Sequence, residues 1–308
     1  MPEFSDHDAL ADPLEGLDPR DADAACRLLE EAATANREAS CRAGSVDLIE
    51  PRGVLIATGD LHDNPLHFAR VLRLARLTDA TPPAPRHVTL HEVIHGVAPA
   101  GVDLSHRALL RVAAVKRRYP EQAHTLLANH ELAQIVGAGI VKDGVRVVDA
   151  FNEGVERVFG DAAGRVLRAI GTFIRSMPLA LIARLGDGRG VLCAHSLPSP
   201  GVMGRFDPGV LERDLTEADY EPRTGSAHLM VWGRGQTPEQ LGVLAERWGV
   251  SLFVLGHQHA EAGWDLLPPN GLILNSDHAR GVVATVDLAD PPAPADLAAA
   301  LIPIGQSV

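Results

Sequence analysis

The sequence predicts an α/β protein in which helices cover a mainly parallel β-sheet. The chain has 308 residues, of which 46% are hydrophobic, and this is enough to bury a large core. From Gly53 onward, short apolar runs that are typical of buried strands alternate with amphipathic stretches that are typical of helices. Because parallel strands need crossover connections, such alternation favours a parallel sheet with helices on its faces.

The amino-terminal part precedes this alternation. Residues 1–20 are acidic and broken by proline, and we expect them to be a flexible leader. In "DADAACRLLEEAATANREAS" the apolar positions recur at helical spacing without a breaker, which predicts a helix. Residues 21–308 are then expected to form a single domain.

Two strand–helix units follow from Gly53. The first has a buried strand in "GVLIATGD", a helix in "NPLHFARVLRLARL" and a proline-rich loop in "TDATPPAP". The second has a strand in "HVTLHEVI" and an amphipathic helix in "LSHRALLRVAAVKRRY", which Pro120 ends. A third strand in "AHTLLAN" leads directly into "HELAQIVGAG".

The second half of the chain has further elements of both kinds. Helices are predicted between Val148 and Arg175, followed by a hairpin of "PLALIARL" and "GVLCAHS" around Gly186-Asp187-Gly188. The last third predicts a helix at "TPEQLGVLAERWG" and strands at "SLFVLGH", "GLILNS" and "GVVATVDL".

Composition limits the kinds of partner. The formal net charge of -12 argues against a nonspecific nucleic-acid or anionic-membrane surface, because such partners require a basic face. Small molecules or proteins are the expected partners. Three scattered cysteines are too few for a disulfide framework, which favours a reducing cytoplasm. The sequence offers neither a signal peptide nor an apolar run that would span a bilayer, so we expect a soluble, unexported protein.

One short motif suggests a zinc protease. The segment His91-Glu92-Val93-Ile94-His95 has the form H-E-x-x-H, in which a helix presents both histidines to Zn²⁺. Here Val88, Thr89, Val93 and Ile94 favour a strand, while Gly96 and Pro99 would end any helix at the second histidine. The local sequence therefore disfavours a zinc protease.

A second hypothesis comes from the polar residues at the predicted strand ends. Five segments carry them: Asp60-Leu61-His62, Glu92, Asn129-His130-Glu131, His195 and His257-Gln258-His259. The carboxyl ends of parallel strands share one edge of a sheet, where ligands bind. Imidazoles and carboxylates suit Mn, Fe or Zn, and one carboxylate is able to bridge two metals. Taken alone, Asp60 would equally suit a helix cap and Asn129 a turn.

The ordered motifs "GDLHDN", "HEVIHG", "ANHELA", "CAHSLPSP" and "GHQHAEAGW" resemble those of the calcineurin-like metallophosphoesterases. The stretch that enters the first motif and the later "MVWGRGQ" are most similar to the phosphoprotein (Ser/Thr) phosphatase branch. The resemblance covers about residues 46–288, which would be the motif-bearing core of the domain. It implies a metallo-dependent phosphatase-like fold, with layered central β-sheets (a β-sandwich) flanked by α-helices.

The resemblance also implies roles for individual residues. Asp60, His62 and His259 would hold one divalent metal, and Asn129, His195 and His257 would hold a second. Glu92 would bridge the two ions, which would be Mn, Fe or Zn. A hydroxide between the metals would attack phosphorus, and His130 would act as general acid toward the leaving alcohol. Two further implied roles are Arg234 as a phosphate-binding residue and Glu131 as a hydrogen-bond partner of an imidazole.

The sequence departs from the pattern of this branch at three positions. Glu92 stands where the family has a bridging Asp. His95 and Gly96 stand where the branch has an Asp that supports the catalytic histidine and an Arg that grips phosphate. Three functions therefore stay open: a two-metal phosphomonoesterase acting on a phosphorylated small molecule or phosphoprotein, a phosphodiesterase or dinucleoside polyphosphate hydrolase, and a metal-binding but non-catalytic phosphatase-like protein. The natural substrate and the oligomeric state are not indicated.

Overall fold

Two mixed β-sheets stacked face to face form the centre of the computed structural model, which describes residues 12–79, 85–96, 102–142, 144–186 and 189–305. The first sheet has seven strands, in the spatial order β1 (Arg42–Ala43), β2 (Val46–Ile49), β8 (Ala180–Arg184), β9 (Gly190–Ala194), β10 (Leu252–Leu255), β12 (Gly271–Leu274) and β11 (Trp264–Leu267). The second has five, in the order β14 (Ile302–Pro303), β13 (Val282–Asp287), β3 (Val54–Thr58), β4 (Arg86–Leu90) and β5 (Ala123–Thr125). A separate hairpin pairs β6 (Val141–Lys142) with β7 (Val145–Arg146).

Alternate residues of the strands build two apolar layers. In β3, Leu55 and Ala57 belong to a core between the sheets, together with Val191 and Cys193 of β9. Ile56 belongs to a larger core that includes residues from the helices. Because side chains alternate along a strand, each sheet buries both of its faces. The predicted layered α/β fold is therefore confirmed, and the strands run both parallel and antiparallel.

Helices cover the outer faces. The α-helices are α1 (Ala22–Glu38), α2 (Pro65–Ala75), α3 (His106–Arg118), α4 (Asn129–Val136), α5 (Val147–Phe159), α6 (Ala163–Ile174), α7 (Glu217–Tyr220), α8 (Ser226–Val231), α9 (Pro238–Trp248) and α10 (Pro294–Ala299). Short 3₁₀ helices occur at Leu77–Asp79, Gly160–Ala162, Pro200–Val202 and Pro208–Glu212. All the predicted helices are present. The elements that were not predicted are the helices α7, α8 and α10, the edge strand β11 and the short strands β1, β2, β6, β7 and β14.

Capping residues define the limits of α2 and α9. The Asn64 side chain accepts a hydrogen bond from the His67 N–H, and Pro65 occupies the first turn of α2. Thr237 caps α9 in the same way, and Gly249 ends that helix in the left-handed conformation with φ of +64°. These local signals define where α2 and α9 begin and where α9 ends.

The amino-terminal segment is packed in part. Residues 1–11 of the expected flexible leader lie outside the described residues. Of the remainder, Leu14 is buried in the larger core, and Arg111 forms an ion pair with Asp12. Residues 12–20 therefore pack against the rest of the protein, because burial of the apolar Leu14 side chain in the core stabilises this contact.

The described residues contain no helix that is both long and apolar enough to cross a membrane. The three cysteines, Cys26, Cys41 and Cys193, are all described and all free.

Parallel pairing decides where the strand ends meet. In the second sheet β3, β4 and β5 are parallel neighbours, and in the first sheet β9 and β10 are parallel neighbours. The bridge between Asp60 and Asn275 joins the segment after β3 to the segment after β12, which continues the first sheet. The carboxyl ends of these strands therefore face one common region between the sheets.

Candidate metal centre

The best-formed ligand group consists of four buried side chains from four separate segments. His195 Nε2 lies 2.6 Å from Asn129 Oδ1, 3.1 Å from His257 Nδ1 and 2.9 Å from Glu92 Oε2. His257 Nδ1 lies 3.1 Å from Asn129 Oδ1. The residues follow β4, β5, β9 and β10, as the parallel topology requires. Four potential ligand atoms thus converge on one point.

The chemistry of this group fits a divalent cation. Ions such as Zn²⁺ bind N and O ligands at roughly 2.0–2.2 Å, which places neighbouring ligand atoms roughly 3 Å apart. Glu92 Oε2, Asn129 Oδ1 and His257 Nδ1 belong to buried side chains and all lie within 3.1 Å of His195 Nε2, which has at most one proton to share among them. Burying unpartnered polar atoms is costly, and a bound cation would remove part of that cost. We therefore regard these residues as suited to hold a metal.

Glu92 also contacts a second group. Its Oε1 atom lies 3.0 Å from His62 Nε2 and 4.0 Å from His130 Nε2. His62 Nδ1 lies 3.1 Å from the Ile94 carbonyl oxygen, which accepts its N–H and leaves Nε2 directed at Glu92. Glu92 thus presents one oxygen to each group, which is the arrangement that a bridging carboxylate needs.

The carboxylates in the centre have shifted pKa values. Burial raises the pKa of Asp60 to about 7, and the neighbouring Glu92 carboxylate adds to the shift. Burial also acts to raise the pKa of Glu92, but the imidazoles of His195 and His130 outweigh it and hold that pKa well below its usual range. Asp60 and Glu92 are neighbouring buried carboxylates that repel one another when both are ionised, so nearby positive charge is needed to keep both in the charged form.

Asp60 lies on the His195 side of the centre. Its Oδ1 atom accepts the backbone N–H of His257 at 2.9 Å and lies 3.5 Å from His195 Nδ1 and 3.9 Å from His91 Nδ1. Among the described residues, the groups of close ligand atoms place Asp60 with His91 and His195 and not with His62. The pairing of Asp60 and His62 on one metal, which the resemblance implied, stays a prediction.

His259 does not join the centre, in contrast to the expectation from the sequence. Its side chain is exposed, and its ring lies 5.8 Å from the ring of His278. The physical reason is the turn that follows β10. Asn275 accepts the Ala260 N–H and donates to the Gln258 carbonyl, which draws this segment toward the end of β12 and leaves His259 outside.

Five residues of the centre have left-handed backbone conformations that are uncommon for residues other than glycine. Their φ angles are +39° at His62, +49° at Asp63, +47° at Glu92, +58° at His95 and +67° at His257. Each such conformation costs roughly 1–3 kcal/mol and persists only where the surroundings enforce it. Concentration of this strain at one site is typical of functional regions.

Glu131 helps to hold the backbone next to Glu92 in its left-handed conformation. Its Oε1 atom accepts the backbone N–H of Val93 at 2.8 Å and of Ile94 at 3.3 Å. The family resemblance implied that Glu131 fixes an imidazole, whereas in the structure its Oε1 atom accepts hydrogen bonds from the backbone that follows Glu92. Glu131 therefore orients the proposed bridging residue through the main chain.

The H-E-x-x-H segment is not helical. Residues 91–96 follow β4 as irregular backbone, so the two histidines do not share a helical face. The His91 ring lies 2.8 Å from the Thr58 carbonyl oxygen and 3.2 Å from His195 Nδ1, whereas the His95 ring lies 2.9 Å from His130 Nδ1. The segment therefore lacks the geometry of a zinc protease. Its buried histidines instead contact His195 and His130, two residues of the centre.

His130 and Arg234 lie near the centre in different environments. His130 is 8% exposed, and its Nε2 atom faces Glu92. Arg234 is exposed, and its backbone N–H donates to Ser199 Oγ at 2.8 Å. Burial lowers the pKa of His257 to about 2, with smaller contributions from the charges of His195 and Arg234. The backbone N–H of Gly235, next to Arg234, donates to Gln258 Oε1, so the segment that carries Arg234 contacts the segment that carries His257.

Solved structures share this fold. A protein serine/threonine phosphatase from Saccharomyces cerevisiae, with similarity to human phosphatase PP5, aligns with a TM-score of 0.60 and 16% identity, over 89% of this chain and 85% of its own. The cold-active protein-tyrosine phosphatase of a psychrophilic Shewanella species aligns with a TM-score of 0.52 and 14% identity, over 80% and 78%. No family model matches the sequence. No curated protein matches it either.

The fold is therefore that of the metallo-dependent phosphatases, as the resemblance to calcineurin-like phosphoesterases implied. At these identities the likeness establishes the fold and leaves the activity to be argued from the site.

Proposed function

We propose that the protein is a two-metal phosphoesterase that hydrolyses phosphomonoesters. The observation that carries the proposal is the position of Glu92. One of its oxygens lies 2.9 Å from His195 Nε2 and the other lies 3.0 Å from His62 Nε2, so a single carboxylate separates two groups of potential ligands. Two-metal centres of this kind are suited to displacement at phosphorus.

The proposed ligands divide into two sets. Asn129, His195 and His257 would hold one metal, while His62 with Asp60 would hold the other, and Glu92 would serve both. The bound ions, Mn, Fe or Zn, would supply Lewis acidity toward the phosphoryl oxygens and lower the pKa of a water molecule.

Two further residues would act on the substrate. His130 Nε2 lies 4.0 Å from Glu92 Oε1 and is positioned to give a proton to the leaving alcohol. The Arg234 side chain is exposed beside the centre and would bind phosphate oxygens. The substrate would be a phosphorylated small molecule or a phosphoprotein.

The alternatives differ in what they require. A phosphodiesterase or dinucleoside polyphosphate hydrolase would prefer a diester or an anhydride. A non-catalytic phosphatase-like protein would keep the metals without turnover, and Gly96, which lacks the side chain of the arginine found there in the phosphoprotein phosphatase branch, favours this possibility most. We favour the monoesterase because His130 is available beside the proposed bridge.

The test is hydrolysis of p-nitrophenyl phosphate and bis-p-nitrophenyl phosphate by chelator-stripped protein titrated with Mn²⁺ and then Zn²⁺. We expect the metals to restore turnover of the monoester in preference to the diester. Glu92→Gln should reduce that turnover by roughly 100-fold or more, since it removes the charge shared by both metals. Glu121→Gln, which changes an exposed carboxylate in another part of the protein, is the matched control.

Preference for the diester would select the phosphodiesterase. Binding of metal without turnover of either ester would favour the non-catalytic protein.

A further inference from the structure

A chain of polar side chains extends from His130 away from the candidate metal centre. His130 Nδ1 lies 2.9 Å from His95 Nδ1, and His95 Nε2 lies 3.0 Å from Gln134 Oε1. Gln134 Nε2 donates to Asn152 Oδ1 at 2.7 Å. The inner pair is buried, with His95 1% exposed, and the outer pair is half-buried. This series of hydrogen bonds therefore connects His130 to Gln134 on α4 and to Asn152 on α5.

The direction of each hydrogen bond follows from the outermost link. Because Gln134 turns its amide N–H toward Asn152, its carbonyl oxygen faces His95 and accepts the Nε2–H of that ring. A neutral imidazole that carries its proton on Nε2 has its lone pair on Nδ1. His95 Nδ1 therefore accepts the Nδ1–H of His130, and the Nε2 atom of His130 is directed at the metal centre.

The His95 ring is held firmly in this orientation. Its backbone N–H donates to Ser105 Oγ at 2.9 Å, and its backbone adopts a left-handed conformation with φ of +58°. Phe151 packs edge-on against the ring, with centroids 5.6 Å apart and planes at 80°. These contacts leave the ring little freedom to turn away from His130.

We infer that His95 is a positioning residue for His130, and that Gln134 and Asn152 set its tautomer. This inference rests on the proposed phosphomonoesterase function. His130 keeps its Nδ1 proton in the bond to His95 throughout the reaction. His130 acts in its protonated form, with hydrogen on both ring nitrogens. As a hydroxide derived from water bonds to phosphorus and the P–O bond breaks, the Nε2 proton passes to the leaving oxygen, which takes the electron pair of that bond and departs as the alcohol. His130 is left neutral with its proton on Nδ1, and it takes up a proton at Nε2 from solvent before the next turnover.

The effect of this arrangement depends on the leaving group. An alkoxide is a strong base and needs the proton as it departs, whereas p-nitrophenolate leaves readily without one. Disturbing the tautomer should therefore slow hydrolysis of an alkyl phosphate much more than hydrolysis of p-nitrophenyl phosphate. A merely structural defect would slow both substrates alike.

The experiment compares two substitutions at Gln134 in the full-length, metal-loaded protein. Gln134→Leu removes the acceptor for His95, and we expect a loss of about 10-fold or more in kcat on an alkyl phosphate, with less than about 3-fold on p-nitrophenyl phosphate. Gln134→Glu keeps an acceptor at this position and should preserve the ratio of the two rates. Gln122→Leu removes a half-buried glutamine amide that donates to the carbonyl oxygens of Leu77 and Arg86, and it serves as the control.

A second readout does not depend on activity. Nitrogen-15 NMR of the imidazoles at pH 8 should show neutral His130 protonated at Nδ1 in the unaltered protein and in Gln134→Glu, with this tautomer lost or mixed in Gln134→Leu. Equal loss on both substrates, or an unchanged tautomer in Gln134→Leu, would overturn the inference while the proposed function stands. If the unaltered protein hydrolyses neither ester, the proposed function fails, and the NMR comparison still decides whether Gln134 sets the tautomer.

Discussion

His257 and His259 are only two residues apart, but they have different environments. His257 Nδ1 lies 3.1 Å from both Asn129 Oδ1 and His195 Nε2, whereas the His259 side chain is exposed. Alternation along a regular strand would direct both rings to the same side of the sheet. The left-handed conformation of His257, with φ of +67°, breaks that pattern. The difference gives a direct test of which histidine binds metal.

We expect His257→Ala to weaken Mn²⁺ binding by roughly 100-fold, since loss of a group that only supports a ligand already costs 10–100-fold. His259→Ala should change affinity by less than about 3-fold, because its ring contacts His278 outside the centre. Calorimetric titration of stripped protein with Mn²⁺ measures both constants. Equal losses would instead support the metal set that the sequence implied.

The sequence predicted the residue types of the centre better than their contacts. Glu92, Asn129, His195 and His257 converge because each follows a strand, and strand ends were readable from apolar runs and polar termini. The role of Glu131 toward the backbone was not readable, because it depends on how α4 lies against residues 93–94. The contact between His95 and His130 is equally a product of tertiary packing.

Residues 91–96, which follow β4, are the part of the chain on which the centre most depends. It supplies Glu92 and His95, and the Glu92 carbonyl oxygen accepts the backbone N–H groups of Leu61 and His62. The two metal-facing loops thus share hydrogen bonds and hold one another in place. Strained φ angles on both sides of this contact indicate that neither loop would adopt its conformation alone.

Removal of the Glu131 carboxylate should loosen this segment. Glu131→Ala leaves the buried N–H groups of Val93 and Ile94 without their acceptor, and we expect a loss of about 1–3 kcal/mol in the free energy of unfolding. Metal affinity should fall with it, because Glu92 loses its backbone restraint. Chemical denaturation and Mn²⁺ titration measure the two effects.

Glu121 provides the control for this change. It also accepts two backbone N–H groups, those of Ser40 and Cys41, and it does so outside the centre. Glu121→Ala should therefore affect stability without changing the affinity for Mn²⁺. If Glu131→Ala leaves metal affinity equally unchanged, its carboxylate does not position Glu92.

Element prediction succeeded where apolar periodicity was strong. The strand at Val54–Thr58 and the helix at Pro238–Trp248 agree with their predicted positions, since the continuous apolar run of the former and the capping by Thr237 in the latter are local signals. The strand at Trp264–Leu267 was missed because its residues are half-buried or exposed at a sheet edge and carry little apolar pattern. The division into two stacked sheets came from the family resemblance, because strand order depends on contacts distant in sequence.

At the scale of the whole molecule, a buried polar network joins the two sheets. Asp47 of β2 pairs with Arg42 at 2.8 Å and with His124 Nδ1 of β5 at 2.8 Å. His124 Nε2 lies 3.1 Å from His87 Nδ1 of β4. These groups are largely removed from water, and each depends on its neighbours for hydrogen bonding. The network therefore fixes the registry of one sheet against the other.

This network should make stability sensitive to acid. Burial lowers the pKa of His87 to about 3, with a contribution from the charge of His124, whereas an unfolded histidine titrates near 6.5. Below about pH 6.5 the unfolded chain binds a proton that the folded His87 does not, so the free energy of unfolding falls as pH decreases. Between pH 7 and pH 5 we expect this residue to account for about 2 kcal/mol.

The acidic group in the network acts in the same direction at lower pH. Burial opposes ionisation of Asp47, but His124 and Arg42 outweigh it and hold its pKa below the usual range. Its contribution is present above the unfolded pKa and is lost as pH falls toward the folded value.

Urea denaturation of stripped protein at pH 5, 6 and 7 measures the expected slope. His87→Gln should flatten it by about one proton, while His259→Gln, which alters an exposed side chain, should leave it unchanged. An equal slope in all three proteins would exclude His87 as a source of acid sensitivity.

The pairing of β3 with β13 has a consequence for synthesis of the protein. Thr58 pairs with Val283 and Val54 pairs with Asp287, so the strand that leads into Asp60 lacks its antiparallel neighbour until nearly all of the described chain has left the ribosome. Contacts between residues so distant in sequence form slowly, and the apolar strand edges stay exposed until they form. The nascent chain therefore presents Leu55 and Ala57 to chaperones or to other nascent chains before a metal centre is assembled. Expression at low temperature or with added chaperones should raise the yield of folded protein.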